Sequence, residues 1–173
     1  ASGLYVFNIT DDMGAGLAFS GAANFTGFPN DATILINVDK PGSLDNVTLN
    51  IGSFNGLTDE LRQRIIWNFP DTENLTIEGN SQFWGSLVIP SRTSFLNLLD
   101  VPGFNGRLIA GGDVAHVAAG SEFHNYSFEG DLSSIACQAS CTNPTADAPT
   151  SAQGTCTGST ANNDATITLN NIT

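Results

Sequence analysis

The side chains best suited to acid–base or metal chemistry are few. His116 and His124 are the only imidazoles, and Asp113 and Glu122 lie near them in sequence. A histidine beside a carboxylate suits proton transfer or metal ligation at neutral pH. Their spacing of eight residues matches no usual ligand motif. The better expectation for His124, between Phe123 and Tyr126, is a packed, hydrogen-bonded structural role. Among the 17 acids, short pairs fall at Asp11/Asp12, Asp59/Glu60, Asp71/Glu73 and Glu129/Asp131, and Glu122 is a further candidate. Two acids facing each other across a groove hydrolyse glycans in many enzymes. Most of these acids fall at predicted turns, and no basic residue recurs beside them, so the chain is not read as an enzyme. Calcium fits them better, because Asp and Asn at loops give a hard cation the oxygen ligands it needs. Asp11, Asp12, Asp71 and Glu73 are the weak calcium candidates, without an EF-hand or nonapeptide repeat. Solvated acidic turns are the plainer reading, and no other cofactor is implied.

A second group could contact a ligand without reacting. Asn46-Val-Thr-Leu49 and Asn74-Leu-Thr-Ile77 put Thr48 and Thr76 at alternate positions of strand-like runs. Threonine rows on a flat sheet suit ice or a polysaccharide. The next units offer Ser94, then Ala115 or His116, so the row is short, and Thr is in any case a good outward strand residue. Trp67 alternates inside an apolar run and is expected in the core. Trp84 follows Phe83 at a corner and is the candidate for stacking on a sugar. Cys137, Cys141 and Cys156 are disulfide candidates, and residues 1–136 contain no cysteine. Three is odd, so one thiol is free or its partner lies elsewhere, and the spacing lacks the pattern of a zinc site. Sequons occur at Asn8, Asn24, Asn46, Asn74, Asn125 and Asn171. Asn stacking and Thr propensity account for those in strands, and the source decides whether any carries a glycan.

These residues need a scaffold, and composition bounds it. The chain has 173 residues, Lys+Arg 5 and Asp+Glu 17, for a net charge of -12. That charge repels phosphate backbones and argues against nucleic acid or an anionic membrane as partner. Hydrophobic residues make up 40% of the chain, too many for disorder. No run of about 18 apolar residues exists to span a bilayer. Few lysines with abundant Asn, Thr and Gly point to an all-β extracellular protein. The abrupt start at Ala1 reads as a fragment or a processed chain.

Short β-branched and aromatic runs recur between Gly, Asn, Asp and Pro, at 4–9, 33–38, 47–51, 65–69, 75–78, 86–89, 107–110 and 114–118. Thr58 can cap one short helix at about 58–64. The runs beginning at Ile65, Ser86 and Arg107 start 21 residues apart. A second set, at 74–79, 93–98 and 115–120, follows at a similar period. A fixed period near 20 predicts a solenoid, in which stacked coils make a continuous core from strands in parallel sheets. An antiparallel sandwich is the alternative. The solenoid puts Trp67, Leu87 and Leu108 in one interior column. Residues 1–132 form this domain. Residues 133–160 have a Cys/Thr/Pro-rich linker composition. Within 161–173, Ala165-Thr-Ile-Thr-Leu169 alternates like the first strand of an incomplete β-domain.

Several segments resemble the bacterial choice-of-anchor A domain, in order and spacing, over about residues 3–132. They are Gly3-Leu-Tyr-Val-Phe-Asn-Ile9, Ala32-Thr-Ile-Leu-Ile-Asn-Val38, Arg64-Ile-Ile-Trp-Asn-Phe-Pro-Asp71, Trp84-Gly-Ser-Leu-Val-Ile-Pro90, Asn105-Gly-Arg-Leu-Ile-Ala110 and Glu122-Phe-His-Asn-Tyr-Ser-Phe128. The chain corresponds to the C-terminal half of that domain. The layout is more distantly similar to β-solenoid ice-binding domains, through Ile66-Trp-Asn-Phe69, Gly85-Ser-Leu-Val-Ile89 and Asn105-Gly-Arg-Leu-Ile-Ala110. The tail resembles the start of an immunoglobulin-like repeat of large surface proteins.

The resemblance implies a parallel β-solenoid (β-helix) with one short helix, followed by the start of an immunoglobulin-like β-domain. It implies no catalytic residues. The expected role is a non-catalytic extracellular module, secreted or on the cell surface, adhesive or structural, within a larger adhesin. Its partners would be neighbouring domains of the same protein and a glycan or matrix ligand. Exposed coil edges also allow self-assembly into a fibre or array, with Ala165–Leu169 completing a neighbour's sheet. Ice or polysaccharide binding is the first alternative and a glycan-active enzyme the second.

Overall fold

The computed structural model describes residues 3–9, 17–38, 44–135 and 168–169. The chain winds through five coils. Strands β1 (Leu4–Ile9) and β2 (Leu17–Asn24) make the first, and β3 (Thr33–Val38) and β4 (Leu44–Asn55) the second. Helix α1 (Asp59–Arg62) leads into the third coil, β5 (Ile65–Asn68), β6 (Thr72–Glu78) and β7 (Phe83–Trp84). The fourth is β8 (Ser86–Ile89), β9 (Phe95–Leu98) and β10 (Gly103–Asn105). The fifth is β11 (Leu108–Ala110), β12 (Asp113–His116) and β13 (Glu122–His124).

Corresponding strands of successive coils pair in parallel. The first sheet has the order β1-β3-β5-β8-β11, the second β12-β9-β6-β4-β2, and the third β13-β10-β7. This is an all-β, β-solenoid-like architecture with one short helix among the described residues. The register places Trp67 against Leu87 and Leu87 against Leu108, the interior column expected from the sequence. Ile36 continues it into the second coil. Ile36, Trp67 and Leu87 are buried, whereas Leu108 is half-buried because no coil covers it.

The third sheet was not legible as a sheet in the sequence. Its strands are only two or three residues long, too short for an alternation signal. They are held by an aromatic column. Phe54 meets Phe83 at 5.9 Å between ring centroids, Phe83 stacks on Phe104 at 5.1 Å, and Phe104 meets Phe123 at 5.4 Å. Each such pair adds about 0.5–1.5 kcal/mol beyond its buried area. Outside the first sheet, a polar ladder follows the same register. Asn37 Nδ2 donates to Asn8 Oδ1 at 2.9 Å, and Asn68 Nδ2 donates to Asn37 Oδ1 at 2.8 Å. The strand sequon at Asn8 thus serves stacking.

The helix is shorter than the sequence reading. Thr58 Oγ1 accepts from the Leu61 amide at 3.2 Å, and Leu61 is the residue α1 buries. Gln63 and Arg64 leave the helix so that Ile65 can enter the first sheet; the Ile34 amide already donates to the Arg64 carbonyl. At one corner between coils, Gly106 has φ +155° and lies so close to Gly85 that a Cβ would meet the Gly85 carbonyl oxygen. Only glycine lets two coils approach there at strand spacing.

After β13 the chain does not leave from the last coil. It turns back along the stack as a strap. Arg107 donates to Ser127 Oγ at 3.1 Å, and the Glu129 amide donates to the Gln63 carbonyl at 2.9 Å. The Asp131 amide donates to Thr33 Oγ1 at 2.7 Å, at the start of β3. Ser133 donates to Asp131 through its hydroxyl and through its amide, the latter at 2.8 Å, which holds that carboxyl below the usual aspartate range.

Within the strand expected at 165–169, Thr168–Leu169 (β14) forms a strand. It pairs antiparallel with Ala23 and Asn24 of β2 and so extends the second sheet of the solenoid. The physical reason is the outer edge of β2, whose unpaired backbone groups accept an added strand. The proposed linker segment beyond residue 135, with Cys137, Cys141 and Cys156, lies outside the described residues.

Truncating the interior column tests the stacking. Leu87→Ala should cost about 2–5 kcal/mol in urea denaturation, and the half-buried Leu108→Ala less. Gly106→Ala should be destabilising by about 1–3 kcal/mol or more, since it adds a clash to a strained φ. The Asp131 contact is fully present above the usual aspartate range and is lost as pH falls through the lowered value. Hydrogen exchange at the Ser133 amide should therefore quicken only in strongly acidic solution.

Candidate functional site

The broadest regular surface is the outer face of the second sheet. Alternation decides what it displays. Val47, Leu49, Leu75, Ile77, Leu96 and Leu98 point inward and are buried. The residues between them therefore point out, in rows fixed by the parallel register. One row runs Thr48, Thr76, Asn97 and Ala115. A second, more exposed row runs Asn46, Asn74, Phe95 and Asp113. A third pairs Asn50 with Glu78, whose Oε1 accepts from Asn50 Nδ2 at 2.9 Å.

The two threonines expected to align do so, directly across β4 and β6. The next member of their row is Asn97. Ser94, the expected continuation, is 3% exposed, and its hydroxyl donates to the Ser91 carbonyl. The difference is one of register, because β9 starts at Phe95 opposite Asn74. Phe95 and Asn97 were missed. Their signal was present, since both alternate with Leu96 and Leu98 in Phe-Leu-Asn-Leu.

Trp84 does not stand free. The Arg62 guanidinium carbon lies 4.4 Å from its ring centroid, and the Tyr126 ring is 5.4 Å away. Arg62 also pairs with Asp59 at 2.9 Å. Trp84 thus ties α1 and the strap to the third coil, with a cation–π contact of about 0.5–1 kcal/mol. Trp67 lies in the core as expected, and its Nε1 donates to the Trp84 carbonyl at 3.1 Å.

The histidines belong to the last coil. His124 Nδ1 donates to Asn105 Oδ1 at 2.8 Å, and its Nε2 faces Glu122 Oε2 at 3.1 Å. Asn105 is 2% exposed and donates through Nδ2 to the Phe83 carbonyl and to Gln82 Oε1. This network links three successive strands of the third sheet and gives His124 the structural role expected of it. The His116 ring packs on Phe123 at 4.8 Å.

The acids are spread over separate elements. Asp59 and Glu60 are on α1, Asp71 and Glu73 at the turn into β6, and Glu129 and Asp131 on the strap. Asp71 and Glu73 are exposed, while Asp11 and Asp12 lie outside the described residues. Among the described residues, no three His, Cys, Asp or Glu side chains gather as metal ligands, and no helix is long and apolar enough to cross a membrane. A shallow groove of about 310 Å³ lies between Asn80, Asp100, Pro102 and the turn at 118–120.

Asn105→Leu should be destabilising by about 1–3 kcal/mol, because it strips partners from a buried carbonyl and from His124. Chemical denaturation measures it, with an exposed Asn46→Leu change as the control expected to stay within about 0.5 kcal/mol.

No curated protein and no solved structure matches the chain. A family model does. The one described as "Putative Ice-binding-like adhesive domain" matches residues 1–125, which cover all five coils up to the end of β13. With its parallel coils and its outward rows on one broad sheet, the chain belongs to this ice-binding-like adhesive domain family.

Proposed function

We propose that the chain is a non-catalytic adhesive module of an extracellular surface protein, and that it holds its target on the outer face of the second sheet. Family membership carries the adhesive part of this reading. The face supports the rest. Its rows hold amides and hydroxyls at fixed spacing on a rigid backbone, which suits broad contact better than turnover. The scatter of carboxylates over separate elements favours a binding surface over a hydrolytic pair. The choice-of-anchor A resemblance supports display at a cell surface, next to further domains of a longer chain.

Ice itself is less well suited. Only Thr48 and Thr76 supply threonine to the central row, which continues as Asn97 and Ala115, and Phe95 stands up beside it. A lattice match needs the same group in most coils.

Beads coated with the protein should stay attached to a target surface under flow, across a set of polysaccharide films, matrix proteins, mineral and ice. The double variant Thr48→Lys, Thr76→Lys should keep its circular dichroism spectrum and lose that attachment. Wild-type beads that wash off every surface would overturn the adhesive reading.

A further inference from the structure

We infer that the outer face of the second sheet takes an extended, uncharged polysaccharide, with Phe95 as its stacking platform and Thr48, Thr76 and Asn97 as its hydrogen-bonding track. This inference rests on the adhesive reading above and names the ligand class of that same face.

Phe95 is the first observation. It is 41% exposed at an outward strand position, while its neighbours Leu96 and Leu98 are buried. Among the described residues its ring meets no other aromatic ring. The outward positions aligned with it are Asn74 and Asp113, so the ring rises from an otherwise polar row. An exposed ring in a polar field offers an apolar plane with hydrogen-bonding groups around it. A pyranose has the matching shape, with C–H groups on its face and hydroxyls at its rim.

Asn97 is the second. Its Oδ1 is buried without a hydrogen-bond partner among the described residues. Asn50, in the adjacent row, is by contrast tied to Glu78. Rotation of the amide would bring that unpaired oxygen to the face, where a hydroxyl could donate to it. Thr76 lies beside it on β6 and Thr48 beyond that on β4, each able to donate and to accept.

Geometry sets the shape of the ligand. Adjacent strands lie about 4.8 Å apart, so the rows form a straight track along the solenoid axis. An extended β-linked hexopyranose chain advances by a similar step per ring. Charge sets its type. None of the outward residues in these rows is a cation, Glu78 and Asp113 border them, and the whole chain carries -12. Uronates, sulfated glycans and nucleic acids meet repulsion there, and a neutral polymer does not. A protein partner would look for a larger apolar centre than one ring.

The test is depletion of the whole chain from solution by insoluble cellulose, chitin and neutral mixed-linkage β-glucan, with alginate and heparin resins as anionic controls. Retention is expected on at least one neutral polymer and on neither anionic one. Phe95→Ala should weaken that retention about tenfold, a loss of about 1.4 kcal/mol. Phe95→Tyr should restore it, and Asn97→Ala should weaken it less. All three variants should keep the wild-type denaturation midpoint, which separates a contact role from a structural one. Retention on no neutral polymer, or equal retention by Phe95→Ala and wild type, overturns the inference. If the coated beads still hold to another surface, the adhesive reading survives that result. If they hold to none, both fail.

Discussion

Everything in this molecule follows from the register in which one coil lies on the next. Parallel pairing gives each inward side chain a like neighbour above and below. Ile36, Trp67 and Leu87 are dry because of that pairing, and Leu108 is half-wet because its column stops there. Backbone hydrogen bonds set the spacing, but side chains choose the register, because a slip of one residue would send every inward group outside. The aromatic column through Phe54, Phe83, Phe104 and Phe123 fixes the third side, where strands of two or three residues have few ladder bonds of their own. Tight corners complete the constraint. Gly106 over Gly85 permits an approach that any side chain would block.

The same register turns a solenoid into a display surface. Outward residues inherit the order of the inward ones, so Asn8, Asn37 and Asn68 can join into a ladder outside the first sheet. On the second sheet the pattern is mixed. Asn50 is tied to Glu78, whereas Asn97 Oδ1 finds no partner among the described residues and Phe95 stands exposed. A self-satisfied ladder adds rigidity, and an unsatisfied row is available to something else. That contrast between two faces of one scaffold is what supports the proposal of the second sheet as the adhesive face.

How much of this was readable beforehand depended on period and length. The strands at Leu4–Ile9, Thr33–Val38 and Ser86–Ile89 have the bounds their β-branched runs suggested. The interior column was legible because Trp67, Leu87 and Leu108 share a sequence period. The third sheet was not, since two residues cannot alternate, although Phe83, Phe104 and Phe123 recur at nearly the same spacing. The candidate face was half visible. Thr48 and Thr76 lie in near-identical segments, but continuing the row needed the true start of β9, which only pairing with Asn74 reveals. Trp84 looked free because its partners Arg62 and Tyr126 are distant in sequence and come together only through the helix and the strap.

The strap has a mechanical meaning. By the time the chain reaches Asp131 it is back at Thr33, beside the second coil, having passed Gln63 on the way. A pull on residue 135 thus meets the strap's contacts at Thr33, Gln63 and Arg107 in turn before it reaches β13 of the fifth coil. The fifth coil, with Val114 and Phe123 uncovered, points away from that tether. The strap is thus a series of sacrificial links that load must break before it can reach the stacked strands.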